Sequence, residues 1–234
     1  MSSSLLEKMR KKKIQNLERL VQYFITICCS HYYYQHYLKG FYLGDGAGVG
    51  KGRQIAGCIY ENFRTRELTK HVWLSASSDL INDARRDLSD IGLSEDELRC
   101  VDIKQLGYEK RDWKDLDNCI LFVTYTSLVN KSAKLKVTRF ERLIAWLGDN
   151  FEGLLIFDEG HKAKNLIFKE SAKTTGRTLL HGGIELTGTQ AGQAVFRLQD
   201  KLPRARILYA SATGVTEVLI TYYYYYHYYH NYCY

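Results

Sequence analysis

A glycine-rich stretch that ends in a lysine is the strongest chemical signal in the sequence. It reads Gly44-Asp45-Gly46-Ala47-Gly48-Val49-Gly50-Lys51-Gly52-Arg53. Its glycines let backbone amides approach phosphate oxygens without interference from a Cβ atom, and the lysine can reach the β and γ phosphates of a nucleotide. The stretch therefore predicts a phosphate-binding loop with a catalytic lysine, and its binding residues are Gly46, Gly48, Gly50, Lys51, Gly52 and Arg53.

Two positions of this loop depart from the general phosphate-loop pattern G-x-x-x-x-G-K-[ST]. Asp45 stands at the first glycine, and Gly52 replaces the hydroxyl residue that normally holds Mg²⁺. We therefore expect the ion to take a water molecule or another ligand in that place.

A pair of acids is the second chemical signal. Asp158 and Glu159 directly follow the apolar run 154–157, and His161 comes shortly after them. Hydrolysis of a phosphoanhydride needs one carboxylate to hold Mg²⁺ and a second to orient the attacking water. Standing alone, such a pair is more typical of a solvated turn. Its position downstream of the phosphate loop instead predicts Asp158 as the magnesium ligand, Glu159 as the water-orienting residue and His161 as a link to the substrate-facing side.

A third element, Ser211-Ala212-Thr213-Gly214, follows the apolar run 206–210. The hydroxyls of Ser211 and Thr213 could sense the γ-phosphate through hydrogen bonds to the two acids. In isolation the same residues are typical of an ordinary strand exit. Their coupling role therefore depends on the other two elements.

Short apolar runs that alternate with segments of helical spacing are expected to position these residues. Strands are predicted at 41–44, 71–76, 119–124, 154–157 and 207–210. Helices are predicted after Lys51, after a cap at Ser78 or Asp79, after a capping box at 138–141, and ahead of Pro203. Because the strand runs are continuously apolar, both faces of the sheet should be covered. The sequence thus predicts an α/β fold, a mostly parallel sheet flanked by helices on both faces, with ligands at the carboxyl ends of the strands.

Composition restricts the setting in which the chain works. Lys and Arg outnumber Asp and Glu by 33 to 26, and the resulting net charge of +7 favours polyanions such as nucleic acid as partners. The six cysteines show no C-x-x-C pairing, which argues against a zinc module or a disulfide framework and favours a reducing compartment. The apolar runs are shorter than the roughly 18 residues needed to cross a bilayer, so no membrane partner is expected.

The two ends of the chain differ in composition from its middle. Residues 1–38 form a basic, low-complexity segment, and residues 221–234 form a tail dominated by Tyr and His. The tail has two interpretations: aromatic faces that stack bases, or low-complexity sequence read through in a gene model. Residues 39–220 are therefore predicted to form one nucleotide-binding domain.

The three elements, in this order and at this spacing, resemble motifs I, II and III of superfamily 2 helicases. The resemblance is closer to the strawberry notch family. It lies on residues 40–57, 73–75, 79–80, 157–165, 198–206 and 209–214, and it extends over roughly residues 39–217. Gly52 agrees with that family, which also has glycine there. Gly160 differs, because the family usually has cysteine at this position.

The resemblance implies a RecA-like P-loop NTPase lobe that binds ATP with Mg²⁺. It further implies a nuclear co-regulator of transcription with a role in Notch signalling, whose partners are chromatin or transcription-regulatory proteins. The family continues into a second RecA-like lobe with an arginine that completes hydrolysis. Without that arginine we expect turnover to be slow or absent, since such a group accelerates the reaction by roughly 10³ to 10⁵.

Other functions stay open at this point. Gly52 is compatible with a non-catalytic nucleotide-binding or protein-interaction module that has lost productive Mg²⁺ binding, and a truncated gene model is a further alternative. A small-molecule phosphotransferase would need a substrate lid, for which the sequence offers no candidate. The basic residues Arg85, Arg86, Lys162 and Lys164 fit nucleic-acid contact and solvated surface equally well.

Overall fold

We describe a computed structural model of the chain, which covers residues 40–44, 48–160, 166–170, 179–180 and 184–212. Three of the predicted site residues, Gly46, His161 and Thr213, lie outside these described residues. The two end segments predicted at 1–38 and 221–234 lie outside them as well, so the domain boundaries stay predictions. Within the described part of the chain, no helix has the length and apolar character needed to cross a membrane.

Nine strands and five α-helices are formed by the described residues. The strands are β1 Gly40–Leu43, β2 Lys70–Ser75, β3 Arg99–Asp102, β4 Cys119–Thr124, β5 Leu154–Asp158, β6 Leu166–Glu170, β7 Leu179–Leu180, β8 Ile184–Gly188 and β9 Arg206–Ala210. The helices are α1 Lys51–Arg66, α2 Ile81–Asp90, α3 Tyr125–Leu128, α4 Arg139–Leu147 and α5 Gln190–Lys201.

Six strands form the main sheet, in the order β1-β9-β5-β2-β4-β3. Every neighbouring pair in it is parallel. All six residues of β4 are buried, which agrees with the continuous apolar run from which this strand was predicted. A parallel sheet places the carboxyl ends of all its strands at one edge, and that edge positions the site.

Helices cover both faces of this sheet, as predicted. On one face α1 and α2 bury Ile59 and Leu88 in a cluster that includes Ile156 of β5. On the other face α4 and α5 bury Leu143 and Leu198 against the side that includes Leu155. Because neighbouring strand residues point to opposite faces, Leu155 and Ile156 belong to two separate cores. This is the α/β arrangement that the apolar runs predict, and it agrees with the RecA-like lobe that the family resemblance implies.

The sequence predicts neither the edge strand β3 nor the second sheet, and it does not predict the four-residue helix α3. Strand β3 lies at the edge of the main sheet, where its charged end residues Arg99 and Asp102 hide the apolar signal of a strand. Strands β6, β8 and β7 form a separate antiparallel sheet in the order β6-β8-β7. Their short runs mix apolar and charged residues, so they lack the continuous apolar character by which the strands of the parallel sheet are detected.

One of the predicted helix caps is wrong and another is confirmed. Neither Ser78 nor Asp79 caps the segment that leads into α2; the cap is Ser77, whose hydroxyl accepts from the Asp79 N–H at 3.3 Å. Ser77 has the extended backbone that a cap requires, whereas the following residues already turn. Ahead of α4, Thr138 and Glu141 form the predicted capping box, with the Glu141 N–H donating to Thr138 Oγ1 at 3.1 Å.

Candidate nucleotide-binding site

The strand register brings the three predicted elements to one edge of the main sheet. Leu43, the last residue of β1, pairs with Ala210 of β9, and Ala210 pairs in turn with Asp158 of β5. The glycine-rich loop, the acid pair and the segment that starts at Ser211 therefore leave the sheet side by side. This is the edge at which parallel α/β sheets bind their ligands.

The phosphate loop needs glycine for its backbone conformation. Gly48 and Gly50 have φ values of 81° and 87°, in the left-handed region that other residues rarely adopt. A Cβ atom at either position would meet no atom within 4 Å, so backbone conformation and not space is what requires glycine. Gly50 is the N-cap of α1, and it provides no side-chain hydrogen bond to the first turn. The amides and the positive dipole end of α1 therefore face the loop, as anion binding requires.

Lys51 is the first residue of α1, and its charge acts on Asp158 across the sheet edge. Burial raises the pKa of the Asp158 carboxyl above its usual range, and the neighbouring Glu159 raises it further. The hydroxyl of Ser75, which donates to Asp158 Oδ2 at 3.2 Å, and the charge of Lys51 act in the opposite direction. The carboxylate thus lies in a partly desolvated place where a cation stabilises its charged form.

The backbone around Glu159 is held in an uncommon conformation. Glu159 has a φ of 52°, which is rare for a residue with a side chain. Its N–H donates to the Ala210 carbonyl at 2.8 Å, and the Tyr125 hydroxyl donates to the Asp158 carbonyl at 2.9 Å. The carbonyl and the N–H of the peptide bond between Asp158 and Glu159 are therefore both hydrogen-bonded. These two hydrogen bonds set the direction in which the Glu159 side chain leaves the sheet.

Ser211 continues the pairing of β1 with β9 by one residue. Its N–H donates to the Leu43 carbonyl at 3.1 Å, and the residue is buried. Ser211 therefore lies between the exit to the phosphate loop and the exit to the acid pair. That position is compatible with the coupling role predicted for it.

Gly52 and Arg53 lie in the first turn of α1 and face α2. The Arg53 guanidinium donates to Asp90 Oδ2 at 2.5 Å and lies 3.9 Å from Asp87 Oδ1. A Cβ atom at Gly52 would come within 2.0 Å of Asp87 Oδ2. The structure thus places the side chain of Arg53 on α2, and it places Gly52 directly against a carboxylate of the same helix.

The acidic residues at this edge fit a magnesium ion that is held together with a nucleotide. No group of three or more His, Cys, Asp or Glu side chains that could hold a metal exists among the described residues. Magnesium in nucleotide sites uses one or two carboxylates, and phosphate oxygens and water complete its coordination. Asp158, which is partly buried and hydrogen-bonded to Ser75, is a suitable carboxylate of this kind.

Three residues of this region were missed by the sequence analysis: Ser75, Tyr125 and Asp87. Ser75 is the last residue of β2, and Tyr125 directly follows β4, so both are polar residues at the end of a buried strand. That position is a usable signal, because parallel strands end at the same edge. Asp87 has no comparable signal, since it lies within a helix and reaches Gly52 only through helix packing.

Comparison with curated proteins gives relatives that include several strawberry notch proteins. The chain is 46% identical over 185 residues to protein strawberry notch of Drosophila melanogaster. It is 44% identical over 183 residues to protein FORGETTER 1 of Arabidopsis thaliana and 44% identical over 184 residues to protein strawberry notch homolog 1 of Homo sapiens. Each match covers 76% of this chain, and the chain spans only 10% to 12% of the length of these relatives.

The chain was also compared with solved structures and with family profiles. The fold resembles a Sulfolobus solfataricus SWI2/SNF2 ATPase core in complex with double-stranded DNA, with a TM-score of 0.45 and 15% identity, over 88% of this chain and 31% of that one. The profile of the family described as P-loop containing NTP hydrolase pore-1 matches residues 5–226. The chain therefore belongs to this family of P-loop NTP hydrolases, and the relatives that it resembles within the family are the strawberry notch proteins.

Proposed function

We propose that this chain is an ATP-binding, helicase-like lobe that binds the nucleotide with Mg²⁺ at the carboxyl edge of its main sheet. The observation that carries the proposal is the side-by-side exit of the three motifs, with the charge of Lys51 acting on Asp158. A phosphate loop next to a partly buried carboxylate is the arrangement that P-loop ATPases use to hold a triphosphate and its metal ion.

Each residue of the site has a proposed role. The amides of the loop and the Lys51 ammonium hold the β and γ phosphates, and Asp158 holds Mg²⁺, which neutralises charge on the phosphate oxygens. Glu159, whose backbone is bound on both sides, orients the attacking water. Ser211, which lies between the exit to the phosphate loop and the exit to the acid pair, couples the two, and we propose the same role for Thr213 from its position in the motif. His161 links the phosphate site to the substrate-facing side.

We propose that the 234-residue chain hydrolyses ATP slowly when it is tested by itself. Arg53, the arginine that directly follows the loop, is engaged by Asp90, and the resemblance implies that the arginine completing hydrolysis lies in a second lobe. A clamping arginine contributes roughly 10³ to 10⁵ in rate. The second candidate, a nucleotide-binding module without hydrolysis, is favoured by one observation: Gly52 offers no hydroxyl to Mg²⁺.

Calorimetric titration with a non-hydrolysable ATP analogue tests the binding proposal. We expect saturable binding by the natural chain and its loss in Lys51→Ala, because the phosphates lose their only lysine within the loop. Lys114→Ala is the matched control: it removes the same charge from an exposed residue ahead of β4. Equal heats from Lys51→Ala and the natural chain would overturn the proposal.

A phosphate-release assay separates the two candidates. Slow turnover that disappears in Glu159→Gln supports a hydrolase, because glutamine cannot accept a proton from water as a carboxylate does. Tight binding with no release above the Glu159→Gln background supports the module without hydrolysis.

From the resemblance to the strawberry notch family we also propose a setting for this activity. The chain acts in the nucleus, as part of a transcription co-regulator that works with chromatin or transcription-regulatory proteins in Notch signalling. Imaging a fluorescent fusion, and purifying its partners from nuclear extract, tests both statements. A fusion that stays outside the nucleus would contradict them.

Nucleic acid is a further proposed partner, supported by the net charge of +7. If basic residues contact the phosphate backbone, the affinity should fall steeply as salt is added, because binding releases counterions. Fluorescence anisotropy with labelled DNA and RNA at several salt concentrations measures this dependence. Binding that is insensitive to salt would argue against a backbone contact.

A further inference from the structure

The space beside Gly52 is filled by the side chain of another helix. An ideal Cβ atom at this position would lie 2.0 Å from Oδ2 of Asp87 and 3.2 Å from its Cγ. A serine or threonine, the residues usual at this position of a phosphate loop, could not be accommodated unless Asp87 moved. The glycine and the aspartate are therefore sterically coupled, although 35 positions separate them in the sequence.

The two oxygens of the Asp87 carboxylate have different surroundings. Arg86 lies 3.4 Å from Oδ1, and Arg53 lies 3.9 Å from the same atom. Oδ2, the oxygen that faces Gly52, makes no hydrogen bond with any described residue. The side chain as a whole is largely buried in the contact between α1 and α2. One oxygen is thus held by cations, and the other points toward the first turn of the helix that follows the phosphate loop.

Arg53 does not neutralise this free oxygen. Its guanidinium donates twice to Asp90, at 3.0 Å and 2.5 Å, and contacts Asp87 only at the longer distance to Oδ1. The other acid close to Asp87 is Asp90 itself. The charged groups that act on Asp87 are thus Arg53, Arg86 and Asp90. None of the three forms a hydrogen bond with Oδ2.

We propose that Asp87 supplies the oxygen that other phosphate loops take from the hydroxyl at the position of Gly52, and that it contacts the Mg²⁺ of the bound nucleotide directly or through water. This inference rests on the proposed function, since it requires nucleotide binding with Mg²⁺. The physical basis is the coincidence in space: a carboxylate oxygen, which is a ligand that Mg²⁺ prefers, lies where the missing side chain would begin. Glycine at position 52 is then the condition that lets α2 deliver this ligand.

The experiment compares the affinity for a non-hydrolysable ATP analogue with Mg²⁺ and with EDTA, by calorimetry. In the natural chain we expect Mg²⁺ to strengthen binding. In Asp87→Asn and Asp87→Ala that gain should fall by about tenfold or more, in the range seen when a residue that supports a metal is removed. Binding in EDTA should stay unchanged, because the loop and Lys51 are intact.

A control substitution on α2 and a double variant test whether the effect belongs to Asp87 itself. Asp83→Asn removes the same charge from the same helix, where Asp83 pairs with Arg86 at 2.7 Å, and it should keep the full gain from Mg²⁺. Gly52→Ser alone should weaken binding, because the new side chain collides with Asp87. The double variant Gly52→Ser with Asp87→Ala should recover the gain, since the serine hydroxyl then has room to take the ligand position.

Thermal unfolding of every variant shows whether it folds, and the isosteric Asp87→Asn decides the question if Asp87→Ala does not. A full Mg²⁺ gain in Asp87→Asn would overturn the inference and leave Asp87 as a packing residue. Mn²⁺ binding in the presence of the analogue, followed by electron paramagnetic resonance, gives a second readout that needs no turnover. If the natural chain binds no nucleotide under either condition, the proposed function and this inference both fail; if it binds and only the Asp87 result is negative, the proposed function stands.

Discussion

The hydrogen bond between Ser75 and Asp158 acts on the carboxylate that we propose as the magnesium ligand. Burial raises the pKa of Asp158, and the donated hydrogen bond from Ser75 is the strongest of the opposing influences. If Asp158 holds Mg²⁺ as proposed, the hydroxyl of Ser75 extends metal binding to lower pH, because only the ionised carboxylate holds the ion well.

We therefore expect Ser75→Ala to raise the pKa of Asp158 further. The affinity for the Mg²⁺ form of the nucleotide should then decline at a higher pH than in the natural chain, and it should be about tenfold weaker on the acidic side, since a hydrogen bond to a charged group contributes roughly 1.5 kcal/mol. Calorimetry between pH 5 and pH 8 measures this. The control is Ser94→Ala, which removes a hydroxyl bonded to Glu97 at 3.1 Å. Superimposable pH profiles for Ser75→Ala and the natural chain would contradict the expectation.

His71 is a buried histidine on β2, away from the strand ends that form the proposed site. It is fully buried, and its Nδ1 accepts from the Leu154 N–H at 3.2 Å. Burial, with a smaller contribution from the charge of Arg206, lowers the pKa of His71 from 6.5 to about 4. The folded chain thus binds a proton at this residue less readily than the unfolded chain does.

This difference predicts how stability depends on pH. Between about pH 6.5 and pH 4 the unfolded chain is protonated at His71 and the folded chain is not, so stability is complete above this window and falls as the pH drops through it. The contribution amounts to about 2 kcal/mol between pH 7 and pH 5. His71→Asn keeps an acceptor near Nδ1 but does not titrate, so its urea unfolding should lose less stability over this range. Equal losses in both proteins would show that other groups cause the dependence.

At the scale of elements, the short helix α3 follows β4 in the chain and contacts the end of β5. Its first residue, Tyr125, is buried and donates its hydroxyl hydrogen to the Asp158 carbonyl. The contact joins the exits of β4 and β5, between which β2 lies in the sheet, and it holds the carbonyl that precedes the left-handed backbone of Glu159. An element of four residues thereby participates in positioning both acids.

We expect Tyr125→Phe to destabilise the fold by about 1 to 2 kcal/mol, because the Asp158 carbonyl loses its donor. Any nucleotide hydrolysis should decrease more than nucleotide binding in EDTA, since the backbone of the acid pair is affected and the phosphate loop is not. Urea unfolding and parallel titrations measure the two effects. Tyr209→Phe is the matched change, because it removes a tyrosine hydroxyl that donates to Gln199 Oε1 on α5 at 2.6 Å. Equal effects of the two substitutions on hydrolysis would contradict a positioning role for Tyr125.

The elements of the main sheet differ in how far they could be predicted. Strands β2, β4, β5 and β9 were identified from apolar runs that are buried over most of their length. The capping box ahead of α4 was also predictable, because its two residues interact within one turn. The edge strand β3 and the antiparallel sheet of β6, β7 and β8 were not, since their short and partly charged runs carry no clear period.

At the scale of the whole molecule, two cores lie on opposite sides of one sheet. Leu155 and Ile156 are both fully buried, the first in the core with α4 and α5 and the second in the core with α1 and α2. A sheet covered on one side only would bury alternate residues. The stability of the molecule should therefore depend on both residues of this pair.

We expect Leu155→Ala and Ile156→Ala each to lower the free energy of unfolding by about 2 to 5 kcal/mol, through lost burial and a remaining cavity. Leu135→Ala, at an exposed position, should change it by less than about 0.5 kcal/mol. Urea unfolding of the three variants provides the comparison. A small effect at one of the two strand residues would show that one face of the sheet is only loosely covered.

The sequence by itself determined the class of fold and the motifs from which the proposed site is built. Continuous apolar runs specify a sheet buried on both faces, and the glycines, Lys51, Asp158 and Glu159 are recognisable because each motif is contiguous along the chain. Only the tertiary structure decided the partners of these residues. Ser75, Tyr125 and Asp87 reach the proposed site from other strands and helices. Sheet register and helix packing, which depend on residues far apart in the chain, bring them there.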